Sequence, residues 1–222
     1  MKTILIASQK GGAGKSTLAA HFGVLADRLS SPALLIDADP QGSLGIWYQG
    51  RAAATPLLAK ANAGDIAATL DDAERSGIAW AIVDSPPHNA ALVASLMSRA
   101  TLTVVPVRPG PFDLAAAGAT LDMARTLKAP IVAIINHAPP ATRAGQEPSV
   151  VAEARQVLEG LGAPVLPGQI SQRAALSHAL ISGQAVIEFE PGGRAAGEIE
   201  TAWSAIVNIV EKMPRVSRAK TA

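Results

Sequence analysis

The chain of 222 residues contains no cysteine and only seven aromatic residues, namely three Trp, three Phe and one Tyr. Without cysteine, the protein cannot form disulfide bonds, thiolate metal sites or cysteine-held iron–sulfur clusters. With so few aromatic side chains, the core must be aliphatic, and stacking along single-stranded nucleic acid is not expected. The chain also lacks an apolar run of eighteen residues and a charged-then-apolar leader, so we expect a cytoplasmic protein.

Hydrophobic residues make up 49% of the chain, which is enough for the core of one α/β domain. Charge is uneven: residues 212–222 carry four basic residues and no acid, so the remainder holds 15 basic and 18 acidic residues, or −3. We expect one domain over residues 1–213 and a basic tail over residues 214–222. Such a tail could contact phosphate or anionic lipid, and a solvated terminus explains the same charges equally well.

Short apolar runs alternate with longer helical patterns, which is typical of βαβ units and a mostly parallel sheet flanked by helices on both faces. Most runs lack polar–apolar alternation, as expected for strands that are covered on both faces. The predicted strands are 3–7, 33–36, 79–83, 102–107 and 131–135, with a short one near 164–166. The predicted helices are 15–29, 64–75, 90–98, 114–127, 149–161 and 198–212.

A glycine-rich loop joins the first predicted strand to the first predicted helix and reads Lys10-Gly-Gly-Ala-Gly-Lys-Ser16. The common phosphate-loop pattern G-x-x-x-x-G-K-[ST] fails at Gln9, whereas K-G-G-x-G-K-[ST] fits at every position. Glycines let backbone N–H groups turn inward without Cβ clashes, and the helix N-terminus adds positive potential. The sequence therefore predicts a phosphate cradle. Its members are Gly11, Gly12, Ala13, Gly14, Lys15, Ser16 and Thr17.

Three side chains of this loop have distinct expected roles toward ATP and Mg²⁺. Lys15 would contact the β- and γ-phosphates, and the Ser16 hydroxyl would bind Mg²⁺. Thr17 lies beside Ser16 in the first helical turn and could donate a hydrogen bond to the α-phosphate.

With this loop the sequence resembles the deviant Walker A ATPases, particularly the ParA-type partition and positioning ATPases, with MinD as a cousin. The resemblance runs from Lys2 to about Lys212, and it implies a P-loop ATPase fold. The family's hallmark is the extra lysine, here Lys10. By resemblance, Lys10 acts in catalysis with Lys15 and reaches across an ATP-dependent homodimer to the other subunit's nucleotide, where a second cation offsets phosphate charge.

Acidic residues end two predicted strands, at the edge of the sheet where ligands bind in such folds. Asp37 and Asp39 follow one strand, and Asp84 ends another, just before Ser-Pro-Pro at 85–87. The resemblance implies that Asp39 positions the attacking water, that Asp37 lies near the metal and that Asp84 holds Mg²⁺ through its water shell. Both segments would then be switch loops that respond to the nucleotide. Taken alone, Asp37 and Asp39 would also fit an Asx turn.

Weaker signals follow the later strands. The resemblance assigns Asn136 and Pro167 to contacts with adenine, although each also fits a strand-ending turn. The loop Val107–Leu114 resembles one that contributes to the family's dimer face. Arg173 and the basic tail are candidates for sequence-independent contacts with duplex DNA, with solvated side chains as an equal alternative. The four histidines lack metal-ligand spacing.

The resemblance implies an ATPase that partitions or positions DNA, or another cargo, on the nucleoid. It would dimerise with ATP, bind duplex DNA without sequence preference and be stimulated by a separate ParB-like adaptor. Because the first predicted strand begins at the start of the chain, we expect the small class without an N-terminal DNA-reading domain.

Three other functions fit the sequence less well. A MinD-like protein would bind membrane through an apolar and basic C-terminal helix, whereas helix 198–212 carries three glutamates and the tail lacks apolar anchors, so membrane binding is disfavoured. A relative of the nitrogenase iron protein would need cluster cysteines. A metabolic ligase of the dethiobiotin synthetase or cobyrinate amidase kind shares the fold and loop, but Lys10 and the segment 37–41 argue against it.

Overall fold

The computed structural model describes residues 1–142 and 146–213. The predicted basic tail, residues 214–222, therefore lies outside the described residues. The expected domain over 1–213 stays a prediction.

One parallel sheet is built from six strands of the described chain. The strands are β1 (Lys2–Ile6), β2 (Leu34–Asp37), β3 (Leu57–Lys60), β4 (Trp80–Asp84), β5 (Leu102–Val107) and β6 (Ile131–Ile135). Their spatial order is β3-β2-β4-β1-β5-β6. Because all strands run the same way, their carboxyl ends meet at one edge of the sheet.

Helices cover both faces of this sheet, as the sequence predicts. They are α1 (Lys15–Leu29), α2 (Ser43–Gln49), α3 (Ile66–Arg75), α4 (Ala90–Arg99), α5 (Pro111–Leu127), α6 (Ser149–Gly160), α7 (Ala174–Ile181), α8 (Val186–Phe189) and α9 (Arg194–Lys212). One face packs on α1, α2, α7, α8 and α9, and the other packs on α3, α4, α5 and α6.

The central strand β1 explains why the apolar runs do not alternate with polar residues. Ile4 and Ile6 belong to the core on the α1 side, whereas Leu5 belongs to the core on the α3 and α4 side. All three side chains are fully buried. A strand buried on both faces needs an apolar residue at every position.

Four elements were missed by the sequence prediction: α2, β3, α7 and α8. The strand β3 has no β-branched residue and lies at the sheet edge, where pairing with β2 specifies it, as in the bond from Leu57 N to Ala33 O at 2.8 Å. The missed helices have four to eight residues, too few for a clear helical period. Conversely, the short strand predicted near 164–166 is not formed, because Val165 makes only an isolated bridge to Ala133.

A buried histidine joins α1 to the C-terminal helices. His21 is fully buried, and its Nδ1 accepts a hydrogen bond from the backbone N–H of Val186 at 3.1 Å. Its Nε2 has no partner in the described part of the chain. Burial lowers the pKa of His21 from 6.5 to about 4, and the nearby carboxylate of Glu188 opposes this effect only in part.

We predict that this histidine makes the protein less stable in acid. The unfolded chain binds a proton to His21 below pH 6.5 but the folded chain does so only near pH 4, so the group's contribution falls by about 3 kcal/mol across that window. His21→Leu should abolish this slope. The measurement is the free energy of unfolding by urea from pH 4 to 7.5. A variant that follows the wild-type pH dependence would contradict the assignment.

Candidate functional site

The loop between β1 and α1 adopts a cradle conformation that depends on glycine. Gly12 and Gly14 have φ of +73° and +93°, and Gly14 directly precedes α1. A Cβ atom on Gly14 would lie 2.4 Å from Nδ2 of Asn136. No described residue accepts a hydrogen bond from the N–H groups of residues 11–14. A row of N–H groups at a helix N-terminus is suited to binding an anion.

Lys15 and Asp84 bury opposite charges beside this cradle. Lys15 is only 6% exposed, and its ammonium lies 3.5 Å from the carbonyl oxygen of Lys10. Burial lowers the pKa of Lys15, while the carboxylates of Asp84 and Asp39 raise it. The phosphate-loop lysine therefore interacts with two of the three acidic residues that the sequence singled out.

Asp84 has the properties of a metal-binding carboxylate. It is fully buried, and neither of its oxygens has a hydrogen-bond partner of good geometry among the described residues. Burial raises its pKa to about 7, and the hydroxyl of Ser16 lowers it only in part. A buried carboxylate beside a hydroxyl at a phosphate cradle fits Mg²⁺, which needs few protein ligands when phosphates supply others. Ser16 and Asp84 are the residues that would hold it.

Asp37 lies beside Asp84 across the β2–β4 pair, and the structure gives it a further role. Its Oδ2 accepts a hydrogen bond from the N–H of Gly45 at 2.9 Å, and its Oδ1 accepts one from Asp39 N at 3.2 Å. Burial raises the pKa of Asp37. Both oxygens thus hold the chain that follows β2, and Gly45 lies in the first turn of α2. Its expected place near the metal stays a proposal.

Asp39 forms the turn that the sequence offered as an alternative, and it also faces the site. Its Oδ1 accepts a hydrogen bond from Gln41 N at 3.0 Å, and its carbonyl accepts one from Gly42 N at 2.9 Å. At the same time its carboxylate acts on the pKa values of Lys15 and Asp84. The two readings are therefore compatible in one residue.

The loop after β5 contacts the phosphate loop at two points. The ammonium of Lys10 lies 2.6 Å from Oδ2 of Asp113, in the first turn of α5. The guanidinium of Arg108 donates a hydrogen bond to the carbonyl oxygen of Gly12. Arg108 and Asp113 were predicted only as part of the 107–114 segment, because contacts between residues about a hundred positions apart leave no local sequence pattern.

Asn136 directly follows β6, and its side chain contacts the phosphate loop. Its buried side-chain Nδ2 donates to the carbonyl oxygen of Ala13 at 2.7 Å. The segment with Pro167 runs beside β6, since Leu166 N bonds Ala133 O and Ile170 N bonds Ile135 O, both at 2.8 Å. Arg155, which the sequence analysis missed, holds this segment through the carbonyls of Leu166 and Gly168 at 2.9 and 2.8 Å. Contact with adenine stays a proposal for both predicted residues.

A family model described as the CobQ/CobB/MinD/ParA nucleotide binding domain matches residues 4–186. The chain belongs to this family. The resemblance drawn from the glycine-rich loop and the acidic strand ends is confirmed. The chain is therefore a nucleotide-binding domain of the ParA and MinD type.

Individual relatives agree with this assignment. The chain is 30% identical over 209 residues to the maintenance of carboxysome distribution protein A of Halothiobacillus neapolitanus, covering 88% of this chain and 91% of that protein. The solved MinC:MinD complex of Aquifex aeolicus has a chain of the same fold, with a TM-score of 0.74 and 19% identity over 96% of this chain and 98% of that one. An ATP complex of a Cyanothece McdA variant reaches a TM-score of 0.71 at 19% identity, over 93% and 96% of the two chains.

We predict that Asp84→Asn stabilises the folded protein when neither metal nor nucleotide is bound. Above pH 7 the folded wild type holds a buried charge that Ser16 and Lys15 stabilise only in part, and its raised pKa corresponds to a cost of up to about 4 kcal/mol that fades as the pH falls toward 4. Because a buried amide also lacks partners, we expect a net gain of about 1–3 kcal/mol at pH 8 and a smaller one at pH 5.

The measurement is urea unfolding in EDTA, with Asp122→Asn as the matched control. Asp122 is exposed and pairs with Arg125 at the surface, so its variant should change the free energy of unfolding by less than about 0.5 kcal/mol. An Asp84→Asn variant less stable than wild type at pH 8 would show that the carboxylate is satisfied in the folded chain.

Proposed function

We propose that this chain is a ParA-type ATPase that dimerises with ATP and positions DNA, or another cargo, on the nucleoid. The observation that carries the proposal is the row of N–H groups over residues 11–14, which have no acceptor among the described residues. Beside them lie a buried lysine and a buried carboxylate to which no described residue donates a hydrogen bond of good geometry. Triphosphate and Mg²⁺ would satisfy all three. The relative from Halothiobacillus, named for carboxysome distribution, supports a positioning role.

The proposed roles in nucleotide binding and hydrolysis divide among five side chains. Lys15 binds the β- and γ-phosphates, and Thr17 donates to the α-phosphate. Ser16 and Asp84 hold Mg²⁺, which when bound neutralises charge on the phosphate oxygens. Asp39 orients the attacking water, and its place near Lys15 and Asp84 supports this role.

We predict that Lys15→Ala and Asp39→Ala separate binding from hydrolysis. Lys15→Ala should reduce ATP affinity below detection, because it removes the cation at the centre of the cradle. Asp39→Ala should bind ATP as wild type does yet hydrolyse it at least tenfold more slowly, since water is positioned only for the transition state. Calorimetric titration and phosphate release measure the two quantities. If Asp39→Ala hydrolyses ATP at the wild-type rate, Asp39 does not position the attacking water.

Dimerisation would require Lys10 to exchange one partner for another. In the present structure Lys10 pairs with Asp113 of its own chain, and the lysine side chain is 38% exposed. Such a solvent-screened pair is worth at most about 1 kcal/mol, so the other subunit's phosphate can replace it. Phe112, next to Asp113 in the first turn of α5, is 82% exposed and would be buried in a dimer.

The proposed contact with duplex DNA would also depend on the dimer. Arg173 forms an ion pair with Glu198 at 2.8 Å, which offsets its charge on the folded surface. The basic tail lies outside the described residues. A monomer with few uncompensated cations would bind phosphates weakly, and a dimer would double them at a fixed spacing. Within the described residues, no helix has the length and apolar character needed to cross a membrane.

We predict that ATP with Mg²⁺, but not ADP, converts the protein to a dimer that binds duplex DNA of any sequence. Binding should weaken by at least tenfold when salt rises from 50 to 200 mM, because phosphate contacts release counterions. Lys10→Ala should bind ATP yet remain monomeric and bind DNA weakly. Light scattering and fluorescence anisotropy measure mass and DNA affinity.

Several outcomes would contradict parts of this proposal. An equal mass with ADP and ATP would exclude nucleotide-gated dimerisation. Equal DNA affinity in both states, or none at low salt, would exclude DNA as the matrix, and binding to anionic vesicles instead would favour a MinD-like protein. ATP turnover only with a small carboxylate substrate would favour a metabolic ligase.

A further inference from the structure

Two side chains from neighbouring strands bind consecutive carbonyl groups of the phosphate loop. Arg108 follows β5 and donates to the carbonyl oxygen of Gly12, while Asn136 follows β6 and donates to that of Ala13 at 2.7 Å. The backbone at Arg108 is itself held in a turn, because Gly110 N bonds its carbonyl oxygen at 2.8 Å. The loop is therefore supported by two side-chain donors, one from each of the neighbouring strand ends.

These two contacts also determine the direction of the neighbouring N–H groups, because the peptide units are trans. The C=O and N–H of one peptide unit point in opposite directions. A donor that holds the Gly12 carbonyl therefore directs the N–H of Ala13 away from Arg108, and Asn136 does the same for the N–H of Gly14. These N–H groups belong to the row that has no acceptor in the described chain.

The peptide between Gly12 and Ala13 is the one that most needs such support. Gly12 is exposed, has φ of +73° and follows another glycine, so its backbone can adopt several conformations at little cost. Ala13, in contrast, is buried at 2% exposure. A flip of the Gly12–Ala13 peptide would point a carbonyl oxygen toward bound phosphate and repel it.

We propose that Arg108 is a positioning residue that holds the Gly12–Ala13 peptide in its anion-binding orientation. The proposal rests on the nucleotide-binding function proposed above, and it gives Arg108 a role through the loop backbone, not through direct contact with the γ-phosphate. These two roles differ in a measurable way. A misplaced loop N–H weakens ADP and ATP alike, whereas a lost γ-phosphate contact weakens ATP alone.

The test compares Mg·ADP and Mg·ATP affinities, by calorimetric titration, for wild type, Arg108→Met and Arg108→Lys. Arg108→Met should lower both affinities by about tenfold, equivalent to about 1.4 kcal/mol. Arg108→Lys keeps a donor and should restore most of the loss. The titrations are done at about 0.5 M salt. Loss of the Arg108 charge would otherwise weaken binding of the more negative ATP more than that of ADP, and salt screens this effect.

Arg125→Met is the matched control, because Arg125 also donates to a backbone carbonyl, that of Leu161 at 2.6 Å, but at the far end of α5. Its nucleotide affinities should equal those of wild type. The free energy of unfolding of each variant separates loop positioning from general destabilisation. Arg108→Leu, which also lacks a donor, serves as the second truncation if the methionine variant fails to fold.

Three outcomes would overturn the proposal. Unchanged affinities in Arg108→Met, with normal wild-type binding, would show that Asn136 and the glycines suffice. A loss confined to ATP would assign Arg108 to the γ-phosphate directly. A loss that Arg125→Met reproduces would mark a nonspecific effect. Failure of the wild type to bind either nucleotide would instead remove the proposed function itself.

Discussion

Keeping the N–H groups of the phosphate loop unpaired is the constraint on which the site depends. A free loop would satisfy these donors with its own carbonyls or nearby side chains. Here the carbonyls of Gly12 and Ala13 are bound by Arg108 and Asn136, which follow the neighbouring strands β5 and β6. The strand order places β5 between β1 and β6, so parallel pairing brings the loop and its supports to the same edge.

The same edge buries charges that an apolar core would exclude. Burial lowers the pKa of Lys15 and raises that of Asp84, so each group is destabilised in its charged form, and their mutual attraction offsets only part of this. Most of the remaining core is aliphatic, and each central strand contributes fully buried Ile, Leu or Val. Buried charges with shifted pKa values in such a core mark a candidate site for chemistry.

The sequence predicted those features that depend on local patterns. Helix α1 has the predicted bounds, and Asp84 ends a strand as expected, because long apolar periods and glycine-rich motifs are local signals. By contrast, the edge strand β3 depends on pairing with β2, and the contacts Lys10–Asp113 and Arg108–Gly12 join segments about a hundred residues apart. Such contacts depend on tertiary packing, which one sequence does not reveal. Asn136 was singled out, but its bond to Ala13 was not foreseen for the same reason.

The loop after β5 physically joins two parts of the proposed cycle. Arg108, just after β5, donates to the carbonyl oxygen of Gly12, and Asp113, in the first turn of α5, pairs with Lys10, the residue proposed to reach the other subunit. Phe112 stands exposed between them. Burying Phe112 against a second copy would fix the loop, and a fixed loop would fix the cradle. Because coupling between two binding events is reciprocal, a nucleotide that orders the cradle would also favour the dimer. In this proposal the six residues from Arg108 to Asp113 would connect phosphate binding with assembly.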